Sequence, residues 1–167
     1  SVDPDWPGDG VREVVAESQS LWRELGNTPM LVDNLSQSIH LRYCFADFPA
    51  GEAEAQEAVR LSEEMGNLWG QTNSRLNIGL ILMEGGEIDR AIQTMRSAIR
   101  LGDVSRHPGA LVGARTDLAL LLADLGAFDH AADLQAEAMS IGRQLGAWLL
   151  ANPLAAQARL APSAGDL

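Results

Sequence analysis

The chain has 167 residues and a formal net charge of −11, from 12 basic and 23 acidic residues. Its apolar content of 46% and charged content of 21% are typical of a globular protein and exclude a disordered chain. The acidic excess argues against direct binding of nucleic acid, because affinity for phosphates depends on basic groups that displace counterions.

Apolar spacing predicts eight helices and no strand. Within 87–102, for example, apolar residues recur at intervals of three and four, which is one face of a helix. Gly86 and Gly126 follow predicted helices and would end them at little energetic cost, because glycine readily adopts the left-handed conformation found after a helix. An irregular lead-in is expected at 1–8, a helical domain at 9–160 and a flexible tail at 161–167. The predicted helices, in chain order, are 9–26, 29–47, 51–65, 68–84, 87–102, 109–125, 127–145 and 148–160.

Similar residues recur at a spacing of 40 along the chain. Alanines lie 40 residues apart at Ala58, Ala98 and Ala138. Glycines that follow Leu or Met lie 40 or 80 residues apart, at Gly26, Gly66 and Gly146. The pattern predicts an array of helical hairpins in which each repeat adds two helices. We expect the alanines at 58, 98 and 138 to lie in equivalent close contacts between helices.

The segment Gly86-x-x-Asp89-x-Ala91-x6-Ala98-Ile99-x-Leu101, preceded by Leu76-Asn77-Ile78-Gly79, resembles a tetratricopeptide (TPR) repeat. The resemblance implies a right-handed α-solenoid of TPR-like hairpins with a 40-residue period. Its lengthened period is similar to arrays in large bacterial signalling proteins. These include LuxR-type regulators of the maltose-activator class, antibiotic-regulatory activators and nucleotide cyclases with an ATPase module. In such proteins the array is a sensor or docking element.

One face of every second predicted helix would line the concave side of such an array. The mixture of amides, carboxylates and leucines on this face suits an extended peptide or a helix that is basic or amphipathic. The alternative is that Gln37, Asn77 and Asp117 only bond neighbouring helices. The candidate partner groove consists of Asp33, Gln37, His40, Asn73, Asn77, Leu80, Glu84, Asp117, Leu120 and Asp124.

Other residue patterns favour structural roles. Arg75 and Arg115 occupy the same repeat position, and we expect each to pair with a carboxylate of a neighbouring helix rather than to bind an anion. His40 and Cys44 are four residues apart, but no third orienting group is indicated, so Cys44 is interpreted as a small core residue. Trp22, Trp69 and Trp148 are interpreted as packing residues rather than ligand-stacking residues.

No motif indicates a cofactor, a metal site or catalysis. The three histidines lack the spacing of a local zinc site, and the glycines lack the Lys-Ser/Thr of a phosphate loop. A single cysteine and no long apolar run favour a cytoplasmic protein without membrane contact.

The sequence therefore predicts a protein-interaction module within a larger bacterial regulatory protein, not an enzyme. The alternatives are a small-molecule effector domain of a transcriptional regulator and, third, an enzyme. Both ends of the predicted array lack purpose-made caps, so another domain or a second copy would cover them, and self-association through these open ends is an expectation.

Overall fold

A computed structural model describes residues 8–160, and every regular element in that range is a helix. The predictions of an all-α fold and of eight α-helices are confirmed, and predicted bounds differ from observed ones by at most three residues. The predicted tail, and all of the lead-in except Gly8, lie outside the described residues. The elements are α1 Gly8–Glu24, α2 Thr28–Cys44, α3 Phe48–Glu64, α4 Leu68–Glu84, α5 Ile88–Ser105, α6 Pro108–Asp124, α7 Phe128–Leu145, a 3₁₀ turn Ala147–Leu150 and α8 Ala151–Leu160.

The six turns from α1 to α7 share a left-handed residue at 20-residue intervals, whereas Gly146 after α7 has φ 148°. A glycine with φ between 64° and 80° supplies this left-handed residue at Gly26, Gly66, Gly86 and Gly126. At two equivalent positions the left-handed residue is not glycine: Ala46 has φ 53° and Arg106 has φ 56°. After two of these glycines an asparagine caps the next helix, because Asn27 Oδ1 accepts from the Met30 N–H and Asn67 Oδ1 accepts from the Gly70 N–H.

The helices form two rows. The backbone of α2 contacts that of α4, α4 contacts α6, and α6 contacts α8. We call these four helices the inner row. The helices α1, α3, α5 and α7 form the outer row, and in the described residues no Cα atoms of two outer helices lie within 8 Å of each other. From α3 onwards, each outer helix packs against the inner helices that precede and follow it.

The core lies between the two rows and is built mainly from aliphatic side chains. Leu35 of α2, Met95 of α5 and Leu118 of α6 are at most 1% exposed. The repeated alanines Ala58, Ala98 and Ala138 are each 0% exposed. A methyl group at these positions lets an outer helix approach its inner neighbour closely.

Candidate functional site

The joint between α2 and α4 contains a buried polar cluster. Ser36 Oγ lies 3.0 Å from Ser74 Oγ, and Asn77 Nδ2 donates to the Ser36 carbonyl oxygen at 3.1 Å. Asn77 is 3% exposed, so its amide is engaged inside the joint. Asn77 therefore has the structural role that was the alternative to a groove residue. Its side chain bonds the neighbouring inner helix and offers no exposed surface to a partner.

A second polar cluster lies at the C-terminal ends of the inner helices. The Tyr43 hydroxyl donates to Glu84 Oε1 at 3.0 Å, and this pair has the same sequence offset of 41 as Ser36 and Asn77. A constant offset shows that α2 and α4 run parallel, so their negative dipole ends lie side by side. Burial and the hydrogen bond to Glu84 raise the pKa of Tyr43. Sequence reasoning missed Tyr43, because the repeat-equivalent residues are Met83 and Ala123.

Asp117 of α6 occupies the repeat position of Asn77, one repeat later. Its carboxylate is half-buried, and no hydrogen bond or ion pair joins it to another described residue. Loss of hydration raises the pKa of Asp117 from 3.8 to about 6. The charge also lies close enough to the Tyr43 hydroxyl to contribute to the raised pKa of that group. The inner row therefore contains a carboxylate that folding desolvates without a cation beside it.

The other predicted groove residues are distributed over the inner row with different exposure. Asp33, Asn73, Leu80 and Leu120 are half-buried, and Leu80 also packs against the core. Those that are exposed are Gln37, Glu84 and Asp124. The side chain of His40 lies outside the described residues.

The arginines of α2, α4 and α6 bind carboxylates rather than lining the groove. Arg42 Nη2 lies 2.6 Å from Glu54 of α3. The predicted pairing of the repeated arginines is confirmed: Arg75 pairs with Glu63 of α3, and Arg115 pairs with a carboxylate of α5 and a carboxylate of α7. Each guanidinium is thus neutralised by the outer row, which leaves the inner-row acids as the dominant charges on α4 and α6.

Two packing interpretations are wrong and two are confirmed. Trp22 of α1 packs against the buried cluster of Leu31, Leu35 and Ala58, as expected. Trp69 of α4 meets His107, which precedes α6, edge to face with ring centroids 5.8 Å apart, so it bridges two hairpins as expected. Trp148 instead is 73% exposed, because it lies in the 3₁₀ turn at the end of the array. Cys44, interpreted as a core residue, is exposed because it is the last residue of α2.

Within residues 8–160, no group of three or more His, Cys, Asp or Glu side chains is arranged to hold a metal ion. None of the helices in this range combines the length and apolarity needed to cross a membrane.

Comparison with known proteins bears on the fold. No protein-family model matches the chain, and no curated protein matches it. Among solved structures, the chain is similar to the crystal structure of BtubC (BKLC) from P. vanneervenii, with a TM-score of 0.80 and 18% sequence identity. The match covers 93% of this chain and 65% of that chain. At this identity the likeness shows a shared fold alone.

Proposed function

We propose that the chain is a protein-interaction module, a TPR-like right-handed α-solenoid that binds a basic amphipathic segment of a partner protein along its inner row. The observation that carries the proposal is the desolvated carboxylate of Asp117 on a row in which the arginines of α2, α4 and α6 are already paired with carboxylates. A cation of the partner placed beside Asp117 would recover the electrostatic energy that folding lost there.

The acidic character extends towards one edge of the row. Glu84 and Asp124 are exposed at the C-terminal ends of α4 and α6. The parallel inner helices add their negative dipole ends at this same edge. Opposite charge on a partner would therefore speed its encounter and select its orientation.

Apolar contact would supply affinity beside these charges. Leu80 and Leu120 are half-buried and lie at equivalent positions of α4 and α6. A partner helix with a leucine stripe next to its lysines would cover both leucines while its charges reach the acids. This requirement for two matched faces distinguishes the proposal from general attraction between a basic peptide and an acidic protein.

The test uses a fluorescent synthetic peptide of about 20 residues, which as a helix is about 30 Å long, with a leucine stripe and a lysine face. We expect saturable binding that weakens about tenfold in the double variant Glu84→Gln with Asp124→Asn. The control Glu64→Gln with Asp89→Asn removes the same charge from exposed positions of the outer row and should bind as the parent does.

Equal loss of binding in both double variants would show attraction by net charge alone and would overturn the proposal. The same assay addresses the alternative function. Competition by a single small metabolite, with a raised melting temperature, would favour an effector domain, because a ligand stabilises the folded state by mass action.

A further inference from the structure

The first helix exposes Val14 and Leu21 at repeat positions where α3, α5 and α7 have half-buried residues. Val14, Leu21 and Leu25 are 65%, 50% and 71% exposed along a groove that Trp22 and Glu17 also line. The residue equivalent to Leu21 in α7 is Ile141, which packs against the core cluster that contains Val112 of α6. The exposed face of α1 is therefore the one by which an outer helix packs on a preceding inner helix.

Among the described residues, the complementary face between α7 and α8 is an open groove. A groove of about 460 Å³ lies between α7 and α8, lined by residues that include Ala136, Met139 and Arg143. Equivalent residues of α3 and α5 line grooves whose far wall is the next outer helix. On α8, Ala158 is exposed at the position of Leu118, which α6 buries in the core. Within residues 8–160, no outer helix follows α8 as one follows α2, α4 and α6.

One contact with a second copy would fill both faces. The described residues begin with an outer helix and end with an inner helix. The α1 helix of a second copy, placed after α8, would continue the alternation of the rows. The large side chains of α1 would then lie over the small side chains of α8, where Ala155 and Ala158 are exposed.

The repeat register that places α1 of a second copy after α8 also places residues of opposite charge beside each other. Between α1 and α3, Arg23 Nη2 lies 2.9 Å from Glu57 Oε2. The inner helix α2 has the apolar Leu35 at the repeat position that Arg75 and Arg115 occupy in α4 and α6. The residues 120 positions after Arg23 and Leu35 are Arg143 of α7 and Ala155 of α8, and Glu17 of α1 lies 40 positions before Glu57. In a second copy whose α1 continues the outer row in register, Glu17 would take beside Arg143 the place that Glu57 takes beside Arg23. Arg143 lines one open groove and Glu17 lines the other. The pattern of arginine, apolar residue and glutamate recurs at the junction.

We propose that copies of this chain associate head to tail, with the α1 face of one copy seated on the α7–α8 face of the next and Arg143 paired with Glu17 across the contact. The two faces differ, so each added copy leaves one of each unfilled, and the contact builds a linear series of copies.

Sedimentation velocity over a range of protein concentrations tests the proposal. The parent protein should grow beyond a dimer as concentration rises. The single variants Leu21→Arg and Ala158→Arg, both at exposed positions, should each be monomeric because each loses one face. An equimolar mixture of the two should form a dimer that grows no further, since one intact face of each kind remains. Circular dichroism and thermal melting check that both variants are folded.

Charge exchange tests the register. Arg143→Glu and Glu17→Arg should each weaken association about tenfold, and combining them in one chain should restore most of the loss. Arg100→Glu combined with Glu24→Arg is the matched control and should associate as the parent does. A parent that is monomeric at every concentration would overturn the proposal. A mixture of the two blocked variants that stays monomeric would also overturn it. So would a dimer that Leu21→Arg abolishes and Ala158→Arg does not, because that result would indicate that the α1 faces of two copies contact each other.

Discussion

The substitution Asp117→Asn should stabilise the protein, and the gain should depend on pH. The pKa of Asp117 is raised from 3.8 to about 6 by desolvation, so the ionised form is disfavoured in the folded state. A rise of about 2 units corresponds to roughly 3 kcal/mol, which we take as an upper bound because the carboxylate is only half-buried. Above the folded pKa this cost is fully present, and it declines as pH falls from about 6 towards 3.8 because the folded state takes up the proton first.

Urea unfolding of parent and variant at pH 8 and pH 5 measures the effect. We expect the variant to be more stable by about 1–3 kcal/mol at pH 8, and the advantage to shrink by up to about 1.4 kcal/mol at pH 5. The matched control is Asp124→Asn, an exposed acid on the same helix, which should change stability by less than about 0.5 kcal/mol at either pH. A gain that is equal at both pH values, or a loss of stability at pH 8, would refute the reasoning.

Three further substitutions test the packing and the turns. Ala98→Leu should destabilise by about 1–3 kcal/mol through overpacking, whereas Ala53→Leu at an exposed position should not; a melting temperature at or above that of the parent would show that the register of the helices is wrong. Arg106→Gly should stabilise by about 1 kcal/mol because Arg106 has a left-handed φ of 56°, and the helical control Arg100→Gly should lose about 1 kcal/mol; a loss at both positions in denaturant unfolding would contradict the turn geometry. Asn77→Ala should cost about 1–2 kcal/mol because it removes the bond to the Ser36 carbonyl, whereas the half-buried Asn73→Ala should cost less; equal values would contradict a special role for the buried amide.

Local patterns in the sequence determined where the helices lie. A helix needs only an apolar stripe at the right spacing, and this information is contained within about 17 residues of chain. The turns were equally local where glycine supplied the left-handed residue, as at Gly66 and Gly86. The repeat spacing also identified Arg75 and Arg115 as structural pairs, because a recurring arginine on a packed face needs a carboxylate beside it.

Other features depended on which helices became neighbours, and only the tertiary structure decided them. Asn77 and Asp117 share a repeat position, yet Asn77 donates into the joint with α2 whereas Asp117 has no described partner in the joint with α4. The repeat fixes the position of a side chain, but its chemistry depends on what the adjacent helix presents there. Trp148 is exposed because it lies in the turn that follows the last outer helix. Burial is a property of neighbouring elements, so residues at joints and ends of the array have environments that a single helix cannot determine.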